Sequence, residues 1–220
     1  MRKMKLVKKS PRCLISGLYA ITPDELNTAE LLRKVRLVLQ GGVRVLQYRN
    51  KLADGELRLV QANALRKLTK EFGATFIVND DVLLAQQVAA DGVHLGSDDG
   101  GVAGAREQLG NDKIVGVSCY NRLELAHLAV QQGADYVAFG AFFSSSIKPN
   151  APVATFQLLQ HARRELSVPI AAIGGIDLQN GKQLIEAGTD ALAVISAVFG
   201  AADIQQAAQQ FSTLFLERTT

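Results

Sequence analysis

Short apolar runs alternate along this chain with longer segments in which apolar residues recur every three or four positions. The short runs have the length of buried strands, and the longer segments carry the stripe of an amphipathic helix. From Gly17 onward the pattern predicts eight strands, namely GLYAIT (17–22), VRVLQYR (43–49), TFIVND (75–80), GVHLG (92–96), IVGVSC (114–119), DYVAFGAF (135–142), PIAAIGG (169–175) and ALAVIS (191–196).

The segments between these runs predict helices. The clearest of them are ELNTAELLRKVRLVLQ, GELRLVQANALRKLTKEFG, RLELAHLAVQQG and FQLLQHARREL. Asp54 and Asn121 stand where an N-cap side chain would accept the first unpaired backbone N–H groups. Four glycines follow helical runs as predicted C-caps: Gly41, Gly73, Gly133 and Gly188.

Eight strand–helix units predict a parallel sheet closed by right-handed crossovers. Strands that are apolar on both faces fit a sheet covered by helices. Eight such units close into a single (β/α)8 TIM barrel, for which a chain of 220 residues is short. The alternative is an open doubly wound sheet, but no G-x-G-x-x-G follows the first strand. We therefore predict a barrel over 13–220.

Polar side chains collect at the predicted strand ends, which in a TIM barrel form the active site. In VRVLQYRNK, strand alternation predicts that Val43, Val45, Gln47, Arg49 and Lys51 share one face. The other strand ends contribute Asn79, Asp80, Ser97, Asp98, Asp99, Ser118, Ser144, Ser145, Ser146, Ile147, Lys148, Gly174, Gly175, Ile195 and Ser196. Because these residues fall at the same end of seven strands, we predict a functional site at the barrel mouth.

The residue types at this mouth suit a phosphorylated ligand. Arg49 offers a planar fork of donors, whereas Lys51 and Lys148 offer point charges. Asp80 and Asp99 are hard oxygen ligands on adjacent loops, which predicts a Mg²⁺ ion shared with the substrate.

A second anion is predicted at the far side of the mouth. The glycine pair Gly174-Gly175 and the backbone after the eighth strand match a phosphate site common in barrels. Two alternatives stay open for the metal side: Asp98 in place of Asp99 as the ligand, or a purely structural network of the acids and cations.

The usual contexts of a covalent nucleophile are missing from the sequence: it has no G-x-S-x-G elbow, Cys–His pairing or mid-strand lysine. His127 and His161 fall on predicted helices and are interpreted as surface residues. His94 lies within the fourth strand, where a structural hydrogen bond is favoured over catalysis.

The charge of the chain is concentrated at its beginning. Six of its 24 basic residues, and none of its 21 acidic ones, lie in MRKMKLVKKSPR (1–12), which we interpret as a disordered basic arm. The rest of the chain is slightly acidic, which argues against a nucleic-acid partner. No apolar run reaches the ~20 residues that span a bilayer. Two unpaired cysteines, Cys13 and Cys119, indicate a reducing cytoplasm.

Several ordered blocks of this sequence together resemble the thiamine-phosphate synthase family. The resemblance runs from Gly17 to about Gly200. The blocks are GLYAIT, GGVRVLQYRNK, IVNDDVLLAQQVAADGVHLGSDD, VGVSC, GADYVAFGAFFSSSIKPNAP, AAIGGI and AGTDALAVISA.

This resemblance implies an enzyme that joins a hydroxymethylpyrimidine diphosphate to a thiazole phosphate, giving thiamine phosphate and diphosphate. It implies one Mg²⁺ per site on Asp80 and Asp99, and catalytic roles for Arg49, Lys51, Ser118 and Lys148. The implied pyrimidine-diphosphate contacts are Gln47, Tyr48, Arg49, Asn50, Lys51, Asn79, Ser118 and Lys148. The implied thiazole-phosphate contacts are Ser145, Ser146, Ile147, Gly175, Ile195 and Ser196.

One position departs from the family pattern. Where the family usually carries Thr-x-Thr-Lys, this chain has Ser145-Ser146-Ile147-Lys148, and the Ile147 side chain cannot donate a hydrogen bond. A hydrogen bond to phosphate contributes roughly 0.5–1.5 kcal/mol net, and up to ~3 kcal/mol when charge-assisted. We therefore expect weaker thiazole-phosphate binding, without its loss.

Two rival functions are weighed against the synthase. A thiazole tautomerase of related barrel type would not need the paired carboxylates or the basic residues after the second strand. A non-enzymatic barrel that binds phosphorylated ligands has Ile147 as its only support. Small phosphorylated heterocycles are thus the expected partners, and neither nucleic acid nor a membrane is expected to bind. The sequence is compatible with a homo-oligomer but does not fix the oligomeric state.

Overall fold

The chain folds as a closed eight-stranded parallel barrel with helices between successive strands. This fold is seen in a computed structural model that describes residues 15–96, 100–143 and 153–216. The predicted arm (1–12) lies outside these ranges. The strands are β1 (Gly17–Ile21), β2 (Val45–Tyr48), β3 (Thr75–Asn79), β4 (Gly92–Leu95), β5 (Ile114–Tyr120), β6 (Tyr136–Phe139), β7 (Ile170–Ile173) and β8 (Ala191–Val194).

Helices cover the outside of the barrel. They are α1 (Thr28–Gln40), α2 (Gly55–Phe72), α3 (Val82–Gln87), α4 (Gly101–Leu109), α5 (Leu123–Gln131), α6 (Phe156–Glu165), α7 (Leu178–Glu186), α8 (Ser196–Phe199) and α9 (Ile204–Leu214). Within the described ranges, no helix has the length and apolarity needed to cross a membrane.

Each strand pairs with its neighbours in sequence, and β1 pairs with β8 to close the barrel. The predicted barrel is thus confirmed, and the open sheet is excluded. The strand positions agree with the predicted runs, although most strands are one to three residues shorter at their ends.

Two buried clusters follow from the alternation of side chains along the strands. The cluster inside the barrel contains Tyr19, Val45, Ile77, Tyr136 and smaller residues of β6, β7 and β8. The larger cluster lies between the strands and the helices. Val43 belongs to this outer cluster, so its predicted place on the Gln47 face is wrong. It precedes β2, where the backbone is not yet in the strand and strict alternation does not hold.

The helix-end predictions are partly correct. Asp54 accepts the backbone N–H of Leu57 at 2.8 Å and caps α2. Asn121 does not cap α5, because Arg122 occupies that position and the Asn121 amide donates to the Val153 carbonyl at 3.5 Å instead. Gly73 ends α2 in the left-handed conformation, as predicted.

Gly41 ends α1 for a different reason. Its φ of −76° is open to any residue. A Cβ at this position would lie 2.5 Å from the Cβ of Ala208 on α9. Glycine is therefore needed here because two helices approach closely.

The amino-terminal end of the barrel carries one arrangement three times. In each case an aspartate stands just before an even-numbered strand. Its carboxylate accepts a backbone N–H of the neighbouring odd-numbered strand and pairs with an arginine of the helix that leads into that odd-numbered strand. The sets are Asp91 with Phe76 and Arg66, Asp135 with Val115 and Arg106, and Asp190 with Ile170 and Arg163. These contacts tie α2, α4 and α6 to the barrel at the end opposite the predicted mouth.

Candidate active site at the barrel mouth

A cavity of about 330 Å³ opens at the carboxyl ends of β2 and β3. Its polar lining includes Arg49, Lys51, Arg58, Asn79, Asp80 and Asp81. Three cations and two carboxylates thus meet in one depression. A cavity with this lining can accept a polyanion together with a divalent cation.

Arg49 is fixed at its backbone and at its guanidinium. The buried Thr22 hydroxyl accepts the Arg49 N–H and donates to the Arg49 carbonyl, both at 2.8 Å. Nη1 of the guanidinium lies 3.1 Å from both carboxylate oxygens of Asp24. The same carboxylate accepts the Lys51 backbone N–H at 2.6 Å. Asp24 therefore sets the shape of the cationic segment after β2.

The Lys51 side chain is exposed, and no described residue forms an ion pair with its ammonium. Arg58, from the first turn of α2, approaches the cavity from the helix side. Its Nη1 lies 3.4 Å from Asp81 Oδ2. A cation in the first turn is opposed by the helix dipole, so stability of α2 does not account for Arg58 at this position.

Tyr48 and Asn50 point their polar atoms away from the barrel axis. The Tyr48 hydroxyl donates to Gln61 Oε1 at 2.8 Å, and the Asn50 amide donates to the Glu25 carbonyl at 2.7 Å. Burial raises the pKa of the Tyr48 phenol well above its usual value. Both residues line the cavity, but their hydrogen bonds hold the loop after β2 against α2.

Gln47 and Asn79 lie side by side inside the mouth. Gln47 Nε2 donates to Asn79 Oδ1 at 2.7 Å, and the Gln47 side chain is buried. The pair presents amide groups rather than charges. Such groups suit hydrogen bonding to a polar heteroaromatic ring.

Asp80 follows β3 in a left-handed conformation, with φ of 62°. Its backbone N–H donates to the His94 carbonyl at 2.8 Å, which fixes the loop beside β4. Positive φ is uncommon outside glycine and is tolerated best by Asn and Asp. Asp80 lines the cavity in this conformation.

The fit of a Mg²⁺ ion can be judged from the described donors. Within the described ranges, no three His, Cys, Asp or Glu side chains converge to hold a metal. Asp80 and its neighbours nevertheless provide oxygen donors beside three cations, the chemistry of a hard ion shared with a phosphorylated ligand. Asp99, the second predicted ligand, and the alternative Asp98 lie outside the described residues.

Ser118 lies on β5, where its hydroxyl contacts His94 of β4. Ser118 Oγ is 2.9 Å from His94 Nε2, and His94 Nδ1 is 2.9 Å from the Tyr136 hydroxyl. His94 thus has the structural hydrogen bonds that the sequence favoured. His161 is exposed and His127 is partly exposed on α5, so both lie at the surface as predicted.

The second predicted anion site lies where β7 and β8 end. Gly174 and Gly175 follow β7 with φ of 102° and 60°. Ile195 follows β8 and precedes α8, which begins at Ser196. The prediction placed Ser196 in the eighth strand, whereas it opens a four-residue helix. The remaining predicted contacts, Ser145, Ser146, Ile147 and Lys148, lie outside the described residues.

Sequence reasoning missed Asp24, Thr22 and Arg58. Asp24 and Thr22 lie just after β1, at the same barrel end as the predicted site, so a wider count of strand ends includes them. Arg58 carries one usable signal, a cation in the first turn of a predicted helix. Tyr19 and Tyr136 were assigned to apolar strand interiors.

The chain matches the family model described as thiamine monophosphate synthase over residues 18–198. It is 56% identical over 201 residues to a thiamine-phosphate synthase of Methylobacillus flagellatus, covering 91% of this chain and 96% of the relative. A thiamine-phosphate synthase of an Azoarcus species is 55% identical, with 91% and 98% covered.

Solved structures agree. A thiamine phosphate pyrophosphorylase from Pyrococcus furiosus superposes with a TM-score of 0.84 at 35% identity, covering 94% of this chain and 98% of that one. The barrel, its polar mouth and these matches lead to one conclusion: the chain belongs to the thiamine monophosphate synthase family.

Proposed function

We propose that this chain is a transferase of thiamine biosynthesis that joins a hydroxymethylpyrimidine diphosphate to a thiazole phosphate. The products are thiamine phosphate and diphosphate. The observation that carries the proposal is the cavity in which Arg49, Lys51 and Asp80 meet, in a chain of this family. The thiazole phosphate is hydroxyethylthiazole phosphate or its carboxylated form.

The difficult event in this reaction is departure of the diphosphate. The bond between the pyrimidine methylene carbon and the diphosphate oxygen breaks, and its electron pair leaves with the diphosphate. Arg49, Lys51 and Lys148 stabilise the charge that develops there. When bound at Asp80 and Asp99, Mg²⁺ would supply further positive charge to the same oxygens.

Carbon–nitrogen bond formation needs no general base. The thiazole nitrogen has a lone pair and no proton to lose, and it attacks the methylene cation directly. The chain contributes by holding the two rings in line, which supplies the proximity effect. Gln47, Asn79 and Ser118 bind the pyrimidine in this proposal, while Tyr48 and Asn50 shape the loop that carries Arg49.

The thiazole phosphate is assigned to the opposite side of the mouth. Gly175 and the backbone at Ile195 and Ser196 are the described part of this assignment, and Ser145, Ser146 and Ile147 complete it. The turn at Gly174-Gly175 brings its backbone to the carboxyl end of β7, and phosphates in barrels are commonly bound there.

A coupled assay tests the proposed reaction. Diphosphate release is measured with both heterocycles, with each alone, and with and without Mg²⁺. We expect rapid release only when both substrates and the metal are present. Isomerisation of a thiazole carboxylate would instead indicate the tautomerase, and tight binding of thiamine phosphate without turnover would indicate a binding barrel.

The metal assignment has a separate test. Asp80→Asn and Asp99→Asn should each lower turnover sharply and raise the Mg²⁺ concentration needed for half-maximal rate, because each removes a charged oxygen ligand. Glu71→Gln, on the outer surface of α2, serves as the matched control. Wild-type metal dependence in both aspartate variants would contradict the assignment.

We further propose a cytoplasmic location and small-molecule partners only, without nucleic acid or membrane. The free, buried Cys119 supports the location, and the cavity lined by cations and carboxylates supports small phosphorylated partners. Fractionation of cells that produce the tagged chain tests the location, and light scattering tests whether a homo-oligomer forms.

A further inference from the structure

Four polar side chains form a continuous chain of hydrogen bonds inside the barrel. The hydroxyls of Tyr19 on β1 and Tyr136 on β6 lie 2.8 Å apart. The Tyr136 hydroxyl lies 2.9 Å from His94 Nδ1, and His94 Nε2 lies 2.9 Å from Ser118 Oγ. The two tyrosines and His94 are buried, whereas Ser118 is only partly covered. The chain therefore runs from the barrel interior toward the mouth.

The surrounding barrel is shaped to hold this chain in place. A Cβ at Gly116 on β5 would lie 2.0 Å from Cζ of the Tyr136 ring, so only glycine leaves room for the phenol. The Tyr136 ring also packs against the rings of Tyr19 and His94, with centroids 6.2 Å and 5.5 Å away. Close packing on these sides leaves the phenol one orientation, in which it bridges Tyr19 and His94.

Within the described residues, only one direction of donation gives both phenol protons an acceptor. Tyr19 bonds to Tyr136 and, in the described part of the chain, to nothing else through its hydroxyl. If Tyr136 donated to Tyr19, the proton of the buried Tyr19 hydroxyl would have no acceptor among the described residues, which is costly. Tyr19 must therefore donate to Tyr136, and Tyr136 must donate to His94 Nδ1.

The rest of the direction follows from imidazole chemistry. A neutral imidazole whose Nδ1 accepts a hydrogen bond carries its proton on Nε2. Nε2–H then donates to Ser118 Oγ, and the Ser118 hydroxyl keeps its own proton for another acceptor. Burial raises the pKa of both phenols, so both stay protonated at working pH.

We infer that Tyr19, Tyr136 and His94 form a one-way hydrogen-bond chain that turns the Ser118 hydroxyl proton toward the mouth as a donor to a heteroaromatic ring nitrogen. This use of the chain rests on the proposed function, in which Ser118 faces the pyrimidine. Tyr136 and His94 are then positioning residues that act through Ser118. The site accordingly selects a ring with an acceptor on its β5 side over one with a C–H group there.

The first experiment reads the direction without substrate, so its outcome is independent of the proposed reaction. Nitrogen-15 NMR of the imidazoles distinguishes the two tautomers, and the chain has only three histidines to assign, His94, His127 and His161. We expect His94 to carry its proton on Nε2. A proton on Nδ1, or on both nitrogens, would overturn the inference.

Two tyrosine variants provide a matched pair for this measurement. Tyr136→Phe removes the donor to Nδ1 and should abolish the fixed Nε2–H tautomer. Tyr19→Phe removes only the outermost donor and should leave the tautomer unchanged. The same tautomer in both variants would contradict the chain. If Tyr136→Phe fails to fold, the His94 tautomer in the wild type and in Tyr19→Phe still tests the inference, which requires the proton on Nε2 in both.

The second experiment connects the chain to the reaction. Ser118→Ala and Tyr136→Phe should each lower kcat/KM for the pyrimidine diphosphate by roughly two- to tenfold, the range for one neutral hydrogen bond, with the thiazole-phosphate KM unchanged. The double variant should be no worse than Ser118→Ala alone, because Tyr136 acts through Ser118. Losses that multiply in the double variant would show that Tyr136 does not act this way.

Discussion

At the scale of single residues, Arg49 is already engaged by a carboxylate. Its guanidinium faces both oxygens of Asp24, and Thr22 holds its backbone. An arriving diphosphate would therefore take over a guanidinium that is already oriented. Binding would replace the contact of Arg49 with Asp24 by a contact with the diphosphate. The gain in affinity is therefore smaller than an unpaired arginine would give, but the guanidinium is held in a better-defined orientation.

Ile147 supports a prediction about substrate affinity. Ile147→Thr restores a hydroxyl where the family usually has one, so we expect up to about tenfold lower KM for the thiazole phosphate. Steady-state kinetics with the pyrimidine diphosphate held at saturation measures this change. Ile147→Val, which adds no donor, is the control, and equal KM values for both variants would mean that the hydroxyl is unimportant.

Cys119 supports a prediction about thiol reactivity. Burial raises the pKa of its thiol to about 12, so the reactive thiolate is scarce at neutral pH. In a Cys13→Ser background, a thiol reagent at pH 8 should modify the folded protein about a thousandfold more slowly than the protein in denaturant. Rapid modification of the native state would show that Cys119 is reachable.

The chemistry of single residues was predictable where it depends on residue type at a strand end. Gln47, Arg49, Asn79 and Asp80 all lie in or beside the mouth, as predicted. The misplaced Val43 and Asn121 both lie at element boundaries. There one residue more or less changes the direction of a side chain, and sequence patterns locate boundaries poorly.

At the scale of elements, the three aspartate–arginine sets at the end opposite the mouth are expected to stabilise the fold without affecting substrate binding. Asp135 accepts the Val115 N–H at 2.8 Å and pairs with Arg106. Asp135→Asn should lower the free energy of unfolding by about 1–3 kcal/mol, because a charge-assisted bond and a partly buried ion pair are both weakened. Thermal unfolding should show a Tm lower by several degrees.

Glu30→Gln is the control for this element-scale prediction. It removes an exposed ion pair with Arg33 on α1, and such pairs contribute little to stability. We expect an unchanged Tm. The Asp135 variant should also keep the wild-type KM for both substrates, since its contacts lie far from the mouth. Equal Tm values in the two variants would contradict the stabilising role of the set.

The order of strands and helices was predictable because each element carries its own apolar period. The short helix α8 was not predicted, because Ser196 follows an apolar run directly and four residues show no helical period. The capping aspartates Asp81, Asp177 and Asp203 follow the same local rule that identified Asp54, and a systematic search for that rule would have found them.

At the scale of the whole molecule, the barrel separates stability from chemistry. The aspartate–arginine sets lie at one end and the cationic cavity at the other. This division was predictable from the fold class alone. The hydrogen-bond chain from Tyr19 to Ser118 was not, because its first two members are 117 positions apart and meet only when the barrel closes.

The basic segment 1–12 gives the last prediction. If it is a solvated arm, deleting it should leave kcat, both KM values and Tm unchanged, because a solvated arm makes no stabilising contact. Enzyme kinetics and thermal unfolding of the shortened chain measure this. Replacing its six cations with glutamine in the full chain separates loss of charge from loss of length. A lower Tm after deletion would show that the segment packs on the barrel.

The contact between Gly41 and α9 has a consequence for folding during protein synthesis. Ser212 of α9 donates its hydroxyl to the Gly41 carbonyl at 3.0 Å, across 171 positions of sequence. During translation α1 therefore emerges from the ribosome long before the helix that covers it. The contacts that α9 makes near Gly41 can form only after α9 has been synthesised, so α1 completes its packing late.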